Sequence, residues 1–391
     1  QATETGKPLL VVLRCIPCEE CVKLDDELVD ADPVIRPLLE KFVCVRVVST
    51  NGLDLNLFQY DTDQSFAVFM LNADRTIYGR FGTRSHRTEW LGDVSLKGLA
   101  EALQGALELH ANYPANRALL AGKTGPKPLF DSPEKFPKLR ERYTSAIDYS
   151  GAVAKSCIHC HQIGDSIRDY YRDRGEPIPE TVLHPYPHPR SIGLVLDPTR
   201  RAVVQSVTPN TPAAAAGLHA GDSLLTLNGQ PLISMADVQW VLQSVAPTGG
   251  QVHAVVDRDG SQQNITIQLQ DGWRHNDDFT WRVSTWGLRR MGAGGLKMKP
   301  ADEETRRKLK IADGKMALLI DYVGQYNEHA AAKRAGFQVN DVIVSFDGQQ
   351  KLMTEAEFLR HAVTVAKAGQ KVPTAIIRNG RRMKLELPMQ K

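Results

Sequence analysis

A diverged internal repeat constrains the fold of this chain more than any other feature of its sequence. The segment AAAAGLHAGDSLLTLNGQPL at 213–232 matches AAAKRAGFQVNDVIVSFDGQQ at 330–350, at a spacing of about 119 residues. In each copy the sequence predicts an Ala-rich helical turn, an apolar strand and a tight Asn-Gly or Asp-Gly hairpin turn. An amphipathic helix follows in each copy, at about 234–245 and 354–367, and two more strands follow the helix. The second half of the chain is therefore predicted to contain two copies of one β-rich module.

The order of elements near the N-terminus predicts a different fold. Strands are predicted at 7–14, 42–48, 66–71 and 76–82, and helices at about 19–29 and 95–111. The first two strands are continuous apolar runs typical of buried parallel strands, and they form a βαβ unit with the helix between them. The last two strands read as an antiparallel hairpin. A βαβ unit, a hairpin and a closing helix give the order of the thioredoxin fold.

A cluster of three cysteines lies at the first strand-to-helix junction. Here VVLRCIPCEECVKLDDEL resembles the strand-CxxC-helix junction of thioredoxin-like proteins, which makes Cys18 and Cys21 a candidate redox pair and the expected disulfide. Pro17 replaces the usual Trp, and the family's proline before the third strand is missing. An inactive fold with a structural disulfide, a pairing of Cys15 with Cys18 and a metal site of three thiolates are the alternatives. Cys44 is predicted to be a buried core thiol, about 15 Å from Cys15.

A second cysteine motif follows a segment rich in Pro, Gly, Lys and Asn. That segment, at about 112–135, predicts a surface linker and a domain boundary. Helical patterns resume at about 134–155 and 162–174, and CIHCH lies between them. Two thiols separated by two residues can add to the vinyl groups of one haem, and the following His can ligate its iron. A structural disulfide and half of a zinc site are the alternatives.

The motif predicts one covalent haem c, attached through Cys157 and Cys160, with His161 as the proximal iron ligand. The candidates for the sixth ligand are His184, His188 and His110, and Met291, Met298 or an open position are further alternatives. Ligation by two His, or by His and Met, would favour electron transfer. Because bacteria attach haem covalently on the exported side of the membrane, the motif also predicts a periplasmic or extracellular location.

The first repeat carries a second resemblance. SIGLVLD, with the repeat that follows it, resembles the PDZ modules of bacterial HtrA-like and related periplasmic proteins. The resemblance implies that backbone N–H groups around Ile192, Gly193 and Leu194 hold the C-terminal carboxylate of a peptide, while a strand and a helix form a groove for strand addition. Val238 and Leu242 on the helix are expected to line this groove. The alternative is that both copies are packing modules without peptide ligands.

The second copy departs from this pattern. TWGLRRM at 285–291 stands where the carboxylate-binding loop is expected, Asn340 replaces a Gly, and a charged insertion occupies about 299–314. Since Asn tolerates a left-handed backbone, the fold is expected to survive the change. Peptide binding is therefore predicted for the first copy.

Composition excludes several other function classes. The formal charge is only +3 and no basic run is interleaved with aromatic residues, which argues against a nucleic-acid partner. No apolar run approaches the roughly 18 residues that a membrane-spanning helix needs. A GxSxG-like nucleophile turn is also missing, so proteolysis is not expected.

The order of these parts resembles multidomain exported proteins of planctomycete-type bacteria. The predicted fold class is multidomain α/β plus α+β: a thioredoxin-like domain at 1–112, a linker and small helical c-type haem segment at 113–187, and two PDZ-like β-rich modules at 188–272 and 277–390. The first hypothesis for function is electron transfer or thiol/haem redox coupling with a docked protein partner. The alternatives are a haem-bearing scaffold without catalysis, and a haem sensor or peroxidase with an open iron site.

Overall fold

The N-terminal strands form because short apolar runs alternate with turn residues, and they build one mixed sheet. The computed structural model describes residues 1–16, 32–64, 66–83 and 94–391. Its first strands are β1 (Leu9–Leu13), β2 (Val43–Val47), β3 (Phe66–Leu71) and β4 (Ile77–Thr83), in the sheet order β2-β1-β3-β4. β1 and β2 are parallel, whereas β3 is antiparallel to both β1 and β4. This is the arrangement predicted from the sequence.

Three helices accompany this sheet among the described residues. They are α1 (Ala2–Thr5), α2 (Ile35–Leu39) and α3 (Leu96–Ala111). The side chain of Ser95 caps α3 by accepting the Gly98 N–H, and the helix packs Leu99 and Leu103 into the same core as Val68 of β3. The candidate redox pair, Cys18 and Cys21, lies outside the described residues.

The segment predicted as a surface linker is folded. It contains α4 (Arg117–Leu120) and 3-10 turns at Ala121–Lys123 and Pro133–Lys135, and further short helices follow: α5 (Pro137–Arg140), α6 (Val153–Ser156), α7 (Cys160–Asp173) and α8 (Glu180–Leu183). Leu120 and Lys123 are fully buried. The structure therefore differs from the prediction here, because single side chains in a polar, Pro-rich stretch anchor it to the domain.

The first repeat forms two small sheets. Its strands are β5 (Leu194–Leu196), β6 (Val204–Val207), β7 (Ser223–Leu227), β8 (Gln230–Pro231), β9 (Gly250–Arg258) and β10 (Ser261–Leu269), and its helices are α9 (Pro212–Ala215) and α10 (Met235–Ser244). The sheet orders are β10-β9-β7-β8 and β5-β6. 3-10 turns at Pro189–Ile192 and Trp273–Asn276 flank the module.

The second repeat forms one five-stranded sheet of order β11-β12-β13-β14-β15. Its strands are β11 (Leu296–Pro300), β12 (Leu318–Val323), β13 (Val342–Phe346), β14 (Lys371–Arg378) and β15 (Arg381–Pro388), and its helices are α11 (Thr285–Ala293), α12 (Glu303–Lys308), α13 (Ala331–Arg334) and α14 (Glu355–Val365). A 3-10 turn at Asn327–Ala330 precedes α13.

The two repeats share an ion pair at equivalent positions. In the first, Arg258 at the end of β9 forms two hydrogen bonds to Asp222 just before β7, at 2.7 and 2.8 Å. In the second, Arg378 at the end of β14 bonds Asp341 just before β13 in the same way, at 2.7 Å. Both Asp side chains are buried. The predicted repeat is therefore present in the tertiary structure as well as in the sequence.

One element of the second repeat was predicted wrongly. Residues 285–291 form most of helix α11, and the loop equivalent to Gly193 lies at Gly295. These two glycines have φ angles of 88° and 90°. The Gly193 carbonyl accepts the N–H of Thr208, just after β6, at 2.9 Å. The Gly295 carbonyl accepts the N–H of Gly324, just after β12, at 3.0 Å.

The described chain divides into two compact units. One contains Gln1–Ser166 and His184–Asp277, and the other contains Ile167–Leu183 and Asp278–Lys391. The first unit thus combines the mixed sheet, CIHCH and the first repeat, and the second unit holds the second repeat. No helix among the described residues combines the length and the apolar composition needed to cross a bilayer.

Candidate functional site

The turn that leads into β5 is rigidly built. His188 caps the 3-10 turn Pro189–Ile192 by accepting the Arg190 N–H at Nδ1, at 3.2 Å. Gly193 then takes a left-handed conformation that L side chains rarely adopt. A Cβ at this position would lie 2.0 Å from Thr211 Oγ1, so a side chain would be excluded by contact as well as by backbone strain. The backbone conformation of Gly193 therefore sets the direction in which β5 leaves the turn.

The predicted groove residues come together around this turn. Ile192, Leu194, Val238 and Leu242 are all fully buried in the core cluster of the first repeat. α10 packs against the 3-10 turn, and β6 is the only strand paired with β5 in the described part of the chain. These apolar side chains therefore belong to the core beneath the turn and β5, and a peptide groove lined by them stays a prediction.

One end of β5 meets the thioredoxin-like part of the same unit. The hydroxyl of Ser95 donates to the Pro198 carbonyl, just after β5, at 2.7 Å. Phe81 and Val94 line a small cavity with Pro198 and Ala236 at the start of α10. The other end of β5 lies at Gly193.

A buried charged network holds α10 against the mixed sheet. Lys123 pairs with Asp237 at 2.9 Å, and both side chains are 1% exposed. The Arg80 N–H on β4 donates to the same carboxylate at 3.2 Å, and the Arg80 guanidinium lies 3.7 Å from the ring centroid of Trp240. Burial lowers the pKa of Lys123, and it lowers the pKa of Arg80 to about 10. No local sequence pattern predicts this network, because its members lie in three separate segments.

The proline-rich arm, residues 177–189, also packs on α10 through Tyr186. The Tyr186 N–H donates to Gln243 Oε1 at 2.8 Å, and its carbonyl accepts from Gln239 Nε2 at 3.2 Å. The Tyr186 ring stacks on Trp240 with centroids 6.5 Å apart. Tyr186 of the arm therefore packs against α10 of the first repeat.

The candidate sixth ligands have other roles. His110 bonds the Tyr78 hydroxyl through Nδ1 at 2.8 Å and meets the Gly6 carbonyl at Nε2. His188 caps a turn, and His184 is buried with its carbonyl bonded to Arg274 at 2.9 Å. Met291 and Met298 belong to the apolar core of the second unit.

CIHCH is held against the thioredoxin-like sheet. The Ile158 N–H donates to Asn51 Oδ1 and its carbonyl accepts the Thr50 hydroxyl, both at 2.8 Å. Cys157 and Cys160 are buried, and the Cys160 Sγ lies 3.7 Å from the Sγ of Cys15. His161, in the first turn of α7, is only partly buried, and its Nδ1 lies 3.7 Å from the Asp165 carboxylate. The two thiols of the motif are therefore surrounded by other parts of the protein.

Cys44 differs from its prediction. It lies opposite Leu10 in the parallel β1–β2 pair, well before Cys15, so its separation from Cys15 agrees with the sequence argument. Its side chain is exposed, however, because β2 is an edge strand of the sheet. The expectation of a buried core thiol was therefore wrong.

In the second repeat a buried ion pair lies against β11. Glu355 at the start of α14 accepts the Met298 N–H of β11 at 2.8 Å. Arg289 of α11 binds the same carboxylate through two hydrogen bonds, at 3.0 and 2.7 Å. Both charged side chains are buried. The Met298 N–H of β11 therefore already has a hydrogen-bond acceptor within the module.

These features define a class: a thioredoxin-like domain combined with PDZ modules. A family model for thioredoxin-like proteins matches residues 1–73, and a PDZ domain model matches residues 188–269. The thioredoxin-like and PDZ parts of the resemblance are thereby confirmed. The matches give no support to a planctomycete-type origin.

The similar proteins are of the DegP type. A probable periplasmic serine endoprotease, DegP-like, from Marinomonas sp. strain MWYL1 is 29% identical over 47% of this chain and 36% of its own length. The periplasmic serine endoprotease DegP of Escherichia coli K12 is 36% identical over 21% of this chain and 17% of its own length. The crystal structure of a Yersinia pestis serine endoprotease has 29% identity and a TM-score of 0.18, covering 20% of this chain and 28% of that one. The chain spans little more than a third of these relatives at most.

These relatives correct the cofactor prediction. The covalent haem c on Cys157, Cys160 and His161 was wrong, because the similar proteins are serine endoproteases, whose hydrolytic chemistry needs no haem. Electron transfer, redox coupling to a partner, and the haem-scaffold, sensor and peroxidase alternatives were wrong for the same reason. The predicted periplasmic or extracellular location is confirmed by the relatives' periplasmic names.

Proposed function

We propose that this chain is a periplasmic peptide-binding protein whose first PDZ module captures the free C-terminus of other proteins. The observation that carries the proposal is the turn at Gly193, fixed in a left-handed conformation directly before a strand with one paired edge. Backbone N–H groups in such a turn can hold a carboxylate, while the strand edge pairs with the peptide main chain. The PDZ family match over residues 188–269 supports it.

The proposed ligand is a short C-terminal segment ending in an apolar residue. β5 has only three residues, and the contacts of Pro198 with the thioredoxin-like part close its far end. A longer peptide gains no main-chain pairing beyond that point. We expect micromolar affinity, about 8 kcal/mol, since a flexible peptide loses conformational entropy on binding.

The second module is proposed not to bind peptides in this way. Glu355 already accepts the Met298 N–H, and Arg289 neutralises Glu355 in a buried pair. An incoming peptide would have to separate this pair and leave a buried charge without its partner, which costs about 3–5 kcal/mol. That cost offsets most of the gain expected from a short peptide.

The test is titration of the full chain with fluorescent peptides of three and eight residues that end in valine. We expect the free acids to bind at least tenfold more tightly than their C-terminal amides, and the two lengths to bind equally. Equal binding of acid and amide, or no binding at millimolar peptide, would contradict the proposal.

Two exposed arginines provide a matched pair of variants. Arg190 precedes Gly193, and Arg200 follows the opposite end of β5. Arg190→Glu should weaken binding of the free acid about tenfold, about 1.4 kcal/mol, by repelling the carboxylate. Arg200→Glu and, in the second module, Lys297→Glu should leave the affinity unchanged. Weaker binding only in Lys297→Glu would assign the ligand to the second module.

A further inference from the structure

Three thiols from two distant segments of the chain meet inside the first unit. Cys15 follows β1, and the Cys160 Sγ at the start of α7 lies 3.7 Å from its Sγ, across 145 residues of sequence. The Cys157 thiol also hydrogen-bonds the Cys15 thiol. Cys15 therefore contacts both cysteines of CIHCH, and all three are buried.

The surrounding contacts fix this meeting. Besides the two bonds made by the Ile158 backbone, Asn51 Nδ2 donates to the Ser156 carbonyl at 3.0 Å. On the other side, the Arg14 N–H donates to the Val47 carbonyl at 3.0 Å, which extends the β1–β2 pairing up to Cys15. Both partners of the thiol contact are therefore anchored by backbone hydrogen bonds in one domain.

We propose that Cys15 and Cys160 form a disulfide in the mature protein, which joins the thioredoxin-like sheet to the start of α7. The sulfurs need to approach by only about 2 Å to reach bonding distance, which side-chain rotation supplies. The periplasm named for the relatives is a compartment where disulfides form and persist. This disulfide is independent of the peptide groove.

The oxidant is a disulfide donor, either a protein or a small molecule such as oxidised glutathione. One of the two thiolates attacks the donor, forms a mixed disulfide and releases one donor thiol. The second thiolate then attacks the mixed disulfide, which closes the Cys15–Cys160 bond and releases the other donor thiol. The protein loses two electrons and two protons, and the donor is reduced to two thiols.

Oxidation is expected during folding, before the site closes. In the folded chain a hydrogen bond from Cys157 lowers the pKa of Cys15, but the bond to Cys160 and burial outweigh it and raise that pKa well above its ordinary value. The hydrogen bond to Cys15 and burial likewise raise the pKa of Cys157. Because thiolates are the reactive form, folded reduced protein should react slowly with both oxidants and alkylating agents.

The experiment maps disulfides in the full chain after export to a bacterial periplasm, and in reduced protein refolded with oxidised glutathione. Free thiols are alkylated in denaturant before digestion and peptide mass spectrometry. We expect a peptide pair linking Cys15 to Cys160, with Cys157 and Cys44 alkylated. A link from Cys15 to Cys18, a link between Cys157 and Cys160, or any larger adduct on CIHCH would overturn the proposal.

The stability of the wild-type protein in urea is a second readout, and it does not require any variant to fold. Reduction of the wild-type chain should shift its urea midpoint to a lower concentration, because the disulfide closes a long loop. This difference between oxidised and reduced protein should be smaller in Cys160→Ser than in the wild type, whereas the control Cys44→Ser should keep it in full. An unchanged midpoint on reduction of the wild type, or zinc retained by the three thiols after gel filtration, would contradict the disulfide.

Discussion

Lys123 shows how much one buried side chain contributes at the scale of a residue. Its ammonium pairs with Asp237 in a site from which water is excluded. Lys123→Met removes the partner and leaves a carboxylate buried without its counter-charge. We expect the free energy of unfolding to fall by about 3–5 kcal/mol, measured by urea titration.

The control for this variant is Lys135→Met. Lys135 pairs with Asp131 at 3.2 Å, but both side chains are about half exposed, so the pair is screened by water. No measurable change in unfolding is expected. If Lys123→Met were equally harmless, the buried pair would contribute nothing to holding α10 on the sheet.

Some residue roles could be predicted from the sequence and others could not. The resemblance to PDZ modules put Ile192, Gly193 and Leu194 at a loop, and the structure has a turn before a strand there, while their role in binding a carboxylate stays a prediction. The contact of Cys15 with Cys160 has no local signal, since 145 residues separate them. CIHCH was misread for the same reason: its spacing suits haem, but the environment of its thiols is set by tertiary structure.

At the scale of an element, the Asp–Arg pair ties the start of β7 to the end of β9. Hydrogen bonds from Arg258 lower the pKa of Asp222, whose side chain is 1% exposed. The folded state therefore favours the ionised carboxylate. Its contribution to stability is complete above the unfolded pKa of about 4 and is lost as the pH falls through the lower, folded pKa.

Asp222→Asn should accordingly reduce the free energy of unfolding by about 2–3 kcal/mol at pH 7 and flatten its decrease below about pH 4. Urea titrations at a series of pH values measure both effects. Glu141→Gln, at an exposed position in the same unit, is the control and should follow the wild type. A variant curve parallel to that of the wild type down to pH 2 would rule out the pair as a source of acid sensitivity.

The second repeat shows why one element was predicted wrongly while its neighbours were predicted correctly. Its strands and helix were visible as apolar periodicity and hairpin turns. The dipeptide Gly-Leu, however, occurs at both Gly287-Leu288 and Gly295-Leu296, and only the second has the left-handed backbone of the turn before a strand. Sequence could not choose between them, because Trp, Leu, Arg and Met around Gly287 are compatible with a helix.

At the scale of the whole molecule, the cores predict how the chain unfolds. The largest apolar cluster, with Leu359, contains residues of the second unit only. The clusters with Leu227 and with Leu103 contain residues of the first unit only. Since each unit buries its own apolar residues, we expect two unfolding transitions in urea rather than one.

Two matched substitutions test this expectation, because Leu227 and Leu359 are both fully buried. Leu→Ala at such a site costs about 2–5 kcal/mol through lost burial and the cavity left behind. Leu227→Ala should lower the midpoint only for the first unit, and Leu359→Ala only for the second. Hydrogen exchange in urea, read by peptide mass spectrometry, assigns each transition to its segments. If either substitution lowered the protection from hydrogen exchange equally in both units, the chain would unfold as one cooperative unit. The separate cores would then not correspond to separate unfolding transitions.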